Sequence, residues 1–317
     1  VLAAILFIEG CSTSRYEYDV CIYGGTSSGV IAAYAVAQQG KSVVLIEPGY
    51  RLGGMSSGGL GQTDIGNKQV VKGLSLDFYR RVGSYYNSLE NWVFEPKVAE
   101  QVFKEYIERG KIDVLYGHRI LSLNKNCETI EKIRLESQDG FMGRAEVKAK
   151  IYIDCSYEGD LMARSGVEYV GGRVPNSQYG ETWNGVHMLD GHKFPDGVDP
   201  YVVEGDASSG LLWGISDEEL QKEGSGDDKV QAYNYRICLT SDKHNQIPIS
   251  RPKDYDSTKY ELLLRLMKAK ASEKLADYFI ISPMPNNKTD INNRGGFSSD
   301  MIGMNHNYPE ASYDERE

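Results

Sequence analysis

The chain has no CxxC pair, and none of its five cysteines (Cys11, Cys21, Cys127, Cys155 and Cys238) stands near a histidine at metal-ligand spacing. So few thiols in 317 residues exclude a disulfide framework, and their spacing excludes a zinc site. Cys21 and Cys155 fall in apolar strand patterns and read as buried thiols. Basic runs are missing too, and the formal net charge is −10. That balance excludes nucleic acid or an anionic membrane surface as the main partner. There is no internal repeat. The opening apolar run, Val1 to Ile8, is too short to span a bilayer. Phe is scarce at 8 while Tyr reaches 22. Tyrosines suit stacking on sugars and ordinary amphipathic surface equally.

What is present is an ordinary globular composition, with 40% hydrophobic and 25% charged residues. It excludes disorder and leaves room for one large domain or two average ones. The first residue is Val, and the opening apolar run leads into Glu9-Gly10-Cys11-Ser12. This order resembles the tail of a bacterial lipoprotein signal, whose Cys becomes the lipidated first residue. The expectation is a signal remnant over 1–15, attachment to a membrane through Cys11 and an extracytoplasmic location. The alternative is a frayed apolar strand or a cloning remnant on a cytoplasmic protein.

Along the chain, Tyr18 to Tyr23 is rich in β formers and ends at glycine. Val30 to Gln39 is an Ala-rich helical stretch closed by Gly40. Ser42 to Ile46 is a continuous apolar run, the pattern of a strand buried on both faces. Together they make a βαβ unit. Arg51 to Gly66 reads as loop, Leu74 to Tyr86 as helix, and Pro96 opens another helix with Val98, Ala99, Val102, Phe103, Tyr106 and Ile107 on one face. Strands follow at 112–116, 119–123, 130–136 and 145–153, the last two joined through Asp139-Gly140, and a helix over 158–165. After Gly171 the chain is Gly- and Asp-rich. A helix is predicted over 260–275, with Leu263, Leu264, Met267 and Ala271 on its stripe, and an irregular tail from Pro283.

Between the first strand and the first helix lies Gly24-Gly25-Thr26-Ser27-Ser28-Gly29. It fits G-x-x-x-x-G, with Thr26 where the usual pattern has a second glycine. Gly24 permits the tight turn, Gly29 lets the helix pack on the strand, and the helix N-terminus offers N–H groups to a pyrophosphate. The hydroxyls of Thr26, Ser27 and Ser28 are expected to compensate for the missing glycine by hydrogen bonding. Glu47 ends the second strand, where a carboxylate accepts ribose hydroxyls.

The following run, Glu47-Pro48-Gly49-Tyr50-Arg51-Leu52-Gly53-Gly54-Met55, resembles the second motif of the glutathione-reductase-type FAD fold. Simple NAD-binding domains lack it. The resemblance implies that Pro48, Arg51, Gly53, Gly54, Met55 and Ser56 line the path of the diphosphate and flavin. Asp154-Cys155-Ser156-Tyr157-Glu158-Gly159-Asp160 resembles the D-A-[ST]-x-x-G-D segment at the flavin side of the cofactor. By residue type alone it reads equally well as a helix start capped by Asp154 or Ser156.

In combination, Gly24-Gly25-Thr26 with Ser28-Gly29, Glu95-Pro96 with Ala99-Glu100, Ser156 to Leu161, Tyr233-Asn234-Tyr235-Arg236 and Lys288 to Asn293 resemble a bacterial FAD-dependent oxidoreductase family. Some of its members carry the label xanthan lyase, and Thr26 is no departure within it. The resemblance implies an α/β fold: a Rossmann-like FAD-binding domain of the glutathione-reductase type over 16–170, with an inserted α+β substrate domain over 171–317. It implies FAD and redox chemistry on a small molecule, a sugar or organic acid. The alternatives are a polysaccharide lyase and a non-catalytic nucleotide-binding fragment. Proteins of this fold return to the FAD domain late in the chain. No such segment occurs before Glu317, so a chain cut short at the C-terminus is expected. No catalytic constellation is visible by spacing. Arg236, Asp290, Asn293 and Arg294 lie in or beside the polar family-like segments, with Arg236 a candidate anchor for a substrate carboxylate and Asp290 a candidate base.

Overall fold

The computed structural model describes residues 13–138, 143–234, 236, 238–272, 274–300 and 302–316. Cys11, Tyr235 and the Asp139-Gly140 connection lie outside the described residues. The chain falls into two compact units, one ending at Tyr169 and one beginning at Val170.

The first unit is built on a six-stranded sheet. Its strands are β1 (Thr13–Tyr23), β2 (Val43–Glu47), β3 (Asp113–Tyr116), β4 (His118–Asn126), β5 (Thr129–Ser137) and β6 (Arg144–Asp154). Their order is β3-β2-β1-β6-β5-β4. β3, β2, β1 and β6 run parallel, and β6, β5 and β4 are antiparallel. β1 begins earlier than its β-forming core implies because it pairs along its length with β6, from Thr13↔Arg144 to Tyr23↔Asp154. The apolar run of β2 is buried at all four positions Val43 to Ile46. Its alternate side chains enter two separate cores, Val43 and Leu45 on one face, Val44 and Ile46 on the other. A continuous apolar strand therefore needs no alternation.

Helices α1 (Ser27–Gln38), α2 (Met55–Gly58), α3 (Gly73–Ser84), α4 (Pro96–Gly110) and α5 (Asp160–Arg164) complete this unit. α1 buries Gly29, Val30 and Ala33. α4 buries Val98, Ala99, Val102, Phe103 and Tyr106, the face its spacing predicts. Both helices share a core with Val20, Ile22 and Leu45. The segment from Arg51, expected as loop, contains the single turn α2.

The second unit has less regular structure. It holds α6 (Asn176–Tyr179), a hairpin of β7 (Tyr201–Val203) and β8 (Asp206–Leu211), and β9 (Leu239–Thr240). There follow α7 (Glu261–Ala269), β10 (Phe279–Met284), β11 (Lys288–Asn293) and α8 (Tyr313–Arg316). α7 is shorter than predicted and turns a different face inward: Leu262, Arg265 and Leu266 are buried, while Leu264 and Met267 are exposed. Arg265 explains the rotation. Its guanidinium donates to the carbonyls of Asp199, Tyr201 and Val202, so it is drawn under the β7–β8 hairpin. The tail is also more ordered than its composition implies. β11 pairs with β10 and β9. The turn joining β10 to β11 rests on Asn286 and Asn287, both left-handed with φ of 60° and 57°. Asparagine tolerates that conformation better than most residues, so the Asn-rich stretch is turn chemistry.

Candidate functional site

The C-terminal ends of β1, β2 and β6 lie side by side, in register at Tyr23, Ile46 and Asp154. The loops that leave these strands carry the three sequence motifs. In an open α/β sheet this end is where ligands bind.

The turn after β1 is the tightest part. Gly24 has φ +99°, and a Cβ on it would lie 2.5 Å from the amide nitrogen of Ser156. A Cβ on Gly29 would lie 1.9 Å from the carbonyl oxygen of Gly24. Backbone passes backbone at both places, so no side chain fits. α1 then starts at Ser27 with no acidic residue in its first turn. The Gly29 amide is capped by the Thr26 hydroxyl at 3.3 Å. The amides of Ser27 and Ser28 remain as first-turn donors with no intrahelical acceptor, at the positive end of the helix dipole.

Glu47 joins this turn to the loop after β2. One carboxylate oxygen accepts from the Gly25 amide at 2.7 Å, the other from the Gly49 amide at 2.7 Å. Burial pushes the carboxyl up from the ordinary range, against the lowering effect of those two amides. Each oxygen keeps a second lone pair, enough to accept one ribose hydroxyl apiece.

The Gly-Gly loop closes over the first turn. The Gly53 amide donates to the Gly25 carbonyl at 2.8 Å, and Ser27 Oγ donates to the Gly53 carbonyl at 2.9 Å. Gly53 is buried with φ +100°, and a Cβ there would strike the Phe103 ring at 2.2 Å. A Cβ on Gly54 would meet the Tyr157 hydroxyl at 2.1 Å. Ser56 Oγ lies 3.0 Å from Ser27 Oγ. Pro48 is partly buried, and Arg51 and Met55 are exposed on the same loop.

After β6, Asp154 accepts from the amide and hydroxyl of Ser156 and from the Met162 amide. Ser156 Oγ in turn accepts from the Gly159 amide at 3.0 Å. Asp154 and Ser156 thereby hold amides at the start of α5. Two contacts of the site have no clear signal in the sequence. Tyr157 accepts the Met55 amide proton at 2.7 Å, and Thr26 donates to the Cys155 carbonyl at 2.7 Å. The Thr26, Ser27 and Ser28 hydroxyls all hydrogen-bond within the site, to Cys155, to Gly53 and Ser56, and to one another.

The second unit holds the other four candidates. Arg236 Nη1 donates to both oxygens of Asp290 at 3.1 Å and to the Ile291 carbonyl at 3.3 Å. Asn293 follows Asn292, whose side chain accepts its amide proton at 2.9 Å, and the Arg294 amide donates to Tyr278. Arg236 and Asp290 are brought together, each as the other's partner. Among the described residues no group of His, Cys, Asp and Glu could hold a metal ion.

Glycines that admit no Cβ, a helix N-terminus without opposing charge, and a carboxylate at the end of β2 define a dinucleotide-binding α/β unit. Residues 19–317 match the family described as FAD dependent oxidoreductase, and the chain belongs to that family. FAD is accordingly its cofactor. The fold is similar to a myxobacterial chondrochloren halogenase, described as a variant of FAD-dependent halogenases, at 16% identity and TM-score 0.39, over 50% of this chain and 41% of that one. It is also similar to anhydrotetracycline hydroxylase from Streptomyces rimosus, at 15% identity and TM-score 0.38, over 50% and 36%. L-proline dehydrogenase from P. horikoshii matches at 12% identity and TM-score 0.38, over 52% and 59%. The chain thus spans about two fifths of the halogenase's length. No curated protein matches.

Proposed function

We propose that the protein oxidises or reduces a small hydroxylated molecule, with FAD held by the first unit in the manner of the glutathione-reductase-type fold. The observation that carries this reading is the junction at Glu47, which ties the pyrophosphate turn to the Gly-Gly loop through the amides of Gly25 and Gly49. Bound there, FAD supplies the electron transfer itself. The chain's own residues bind and orient it: Ser27 and Ser28 amides toward the diphosphate, Glu47 toward the ribose, and Gly53, Gly54, Met55 and Ser56 along its path. Full-length protein should purify with an FAD absorption spectrum that bleaches when the right reductant is added. A flavin-free protein with no response to added FAD counts against the reading. The lyase and the non-catalytic readings draw no support from the family match.

The second unit, on this proposal, is the inserted substrate domain. It contains a cavity of about 870 Å³ lined by residues that include Phe194, Trp213, Phe297, Ser298, Asp300 and His306. That volume suits a small-molecule ligand. Its lining cations are already neutralised: Arg173 pairs with Asp227, and Lys229 with Glu218. Lys259 stands over the Trp213 ring, 5.7 Å from its centroid; aromatic faces and paired lining cations favour a neutral sugar over an organic acid.

We further propose attachment to a membrane through a lipidated Cys11, with no nucleic-acid partner. Among the described residues no helix is long and apolar enough to cross a membrane. Fractionating cells that express the complete gene tests the attachment, and a soluble Cys11-containing product rules it out.

A further inference from the structure

The general dinucleotide turn has glycine at the place of Thr26, because backbone there approaches phosphate. Thr26 has no conformational reason to be glycine, since its φ of −66° and ψ of 176° are open to any residue. Its side chain is nearly buried, at 7% exposure. The hydroxyl donates its one proton to the Cys155 carbonyl at 2.7 Å, 129 residues further along the chain. It accepts from the Gly29 amide at 3.3 Å and lies 2.9 Å from Ser28 Oγ. With the proton committed to Cys155, Ser28 is the donor in that last contact. The Thr26 backbone also forms a bridge with Gly53. One residue therefore touches all three loops that make the site.

We infer that Thr26 is a positioning residue for FAD: its hydroxyl fixes the turn after β1 against the segment after β6, and so sets where the Ser27 and Ser28 amides point. It acts on the diphosphate through the backbone it holds, with no contact of its own. The inference rests on FAD being the cofactor. It makes an unusual demand of the usual motif, because restoring glycine at this place should harm binding.

The test uses full-length protein stripped of FAD, with T26G, T26S and T26V compared to wild type. FAD affinity is read by flavin fluorescence and apo stability by melting temperature. Glycine is a serviceable N-cap residue, so T26G keeps the start of α1. One neutral hydrogen bond lost corresponds to roughly threefold to tenfold weaker binding. T26G and T26V should show that loss, and T26S should stay within about twofold of wild type because it keeps the hydroxyl. T26G binding FAD as tightly as wild type, or tighter, overturns the inference. So does T26S failing as badly as T26G, or a lower apo melting temperature in T26G with unchanged affinity. A wild-type protein that takes up no FAD overturns the cofactor assignment first, and this inference with it.

Discussion

The hydroxyl of Tyr157 accepts the amide proton of Met55 at 2.7 Å, while its ring edge covers Gly54 so closely that a Cβ there would overlap the hydroxyl. A side chain that follows β6 thus sets the course of the loop that follows β2. Tyr157→Phe keeps the cover and removes the acceptor. FAD affinity should fall roughly threefold to tenfold, the worth of one hydrogen bond. Equilibrium dialysis of stripped protein against FAD measures it, and wild-type affinity would show that the loop holds its course unaided.

Glu47 should impose a pH dependence. Its folded-state pKa is raised above the ordinary glutamate value of 4.5, chiefly by burial. For a raised acid, the protonated form is the one the empty fold prefers. Its contribution to stability is complete below 4.5 and is lost as pH rises through the folded pKa. Ribose hydroxyls donate to the ionised form, so FAD binding opposes that trend. FAD affinity should fall as pH drops through a range above that of an ordinary glutamate. Melting temperatures of stripped and loaded protein should diverge as pH rises toward neutrality and converge in acid. Glu47→Ala should abolish the divergence, and a profile shared with wild type would remove Glu47 from the ribose site.

Asp290 and Arg236 are each other's partner, with side-chain exposures of 8% and 18%. Removing one member of such a pair strands the other. Asp290→Ala should cost roughly 2–4 kcal/mol of stability. Denaturant unfolding reads the loss. A variant of wild-type stability whose turnover loses its pH limb would instead favour Asp290 as the base that its sequence context suggests.

The cavity of the second unit is lined in part by Trp213, which is half exposed. Neutral sugars such as glucose, mannose and cellobiose should quench its fluorescence, and gluconate and glucuronate should not. Trp213→Phe should remove the response, since Trp92 and Trp183 lie outside the lining residues. Quenching by the two acids alone would reverse the assignment to neutral ligands.

Much of the first unit was legible because each motif answers a local demand. Gly24 needs a positive φ, β2 needs apolar residues on both faces, and α4 shows its buried face at helical spacing. What escaped was non-local or mixed in chemistry. Thr26 reads as a flawed glycine until Cys155 is beside it, and that contact crosses the sheet. Tyr157 looks like any exposed tyrosine until Gly54 is placed under it. In the second unit the signals misled for another reason. The inward face of α7 is set by a charged residue, Arg265, seated on backbone carbonyls, and hydrophobic periodicity carries no trace of such an anchor. The Asn286-Asn287 turn is masked by its composition, since an Asn-rich stretch suits irregular chain and a left-handed turn alike.

The place of β1 in the sheet, between β2 and β6, has a consequence for how the protein is made. β1 and β2 leave the ribosome early, but the strand that covers the other edge of β1 is paired at Ile151, opposite Val20. Until that later stretch arrives, a nascent chain carries an apolar strand with one row of backbone groups unpaired, a template for mispairing with any neighbouring chain. The nucleotide pocket cannot exist during this interval, because its third wall has not been synthesised. Slow or interrupted translation between the first βαβ unit and β6 should therefore raise aggregation out of proportion to any change in the finished protein, and no supply of cofactor can rescue a chain at that stage.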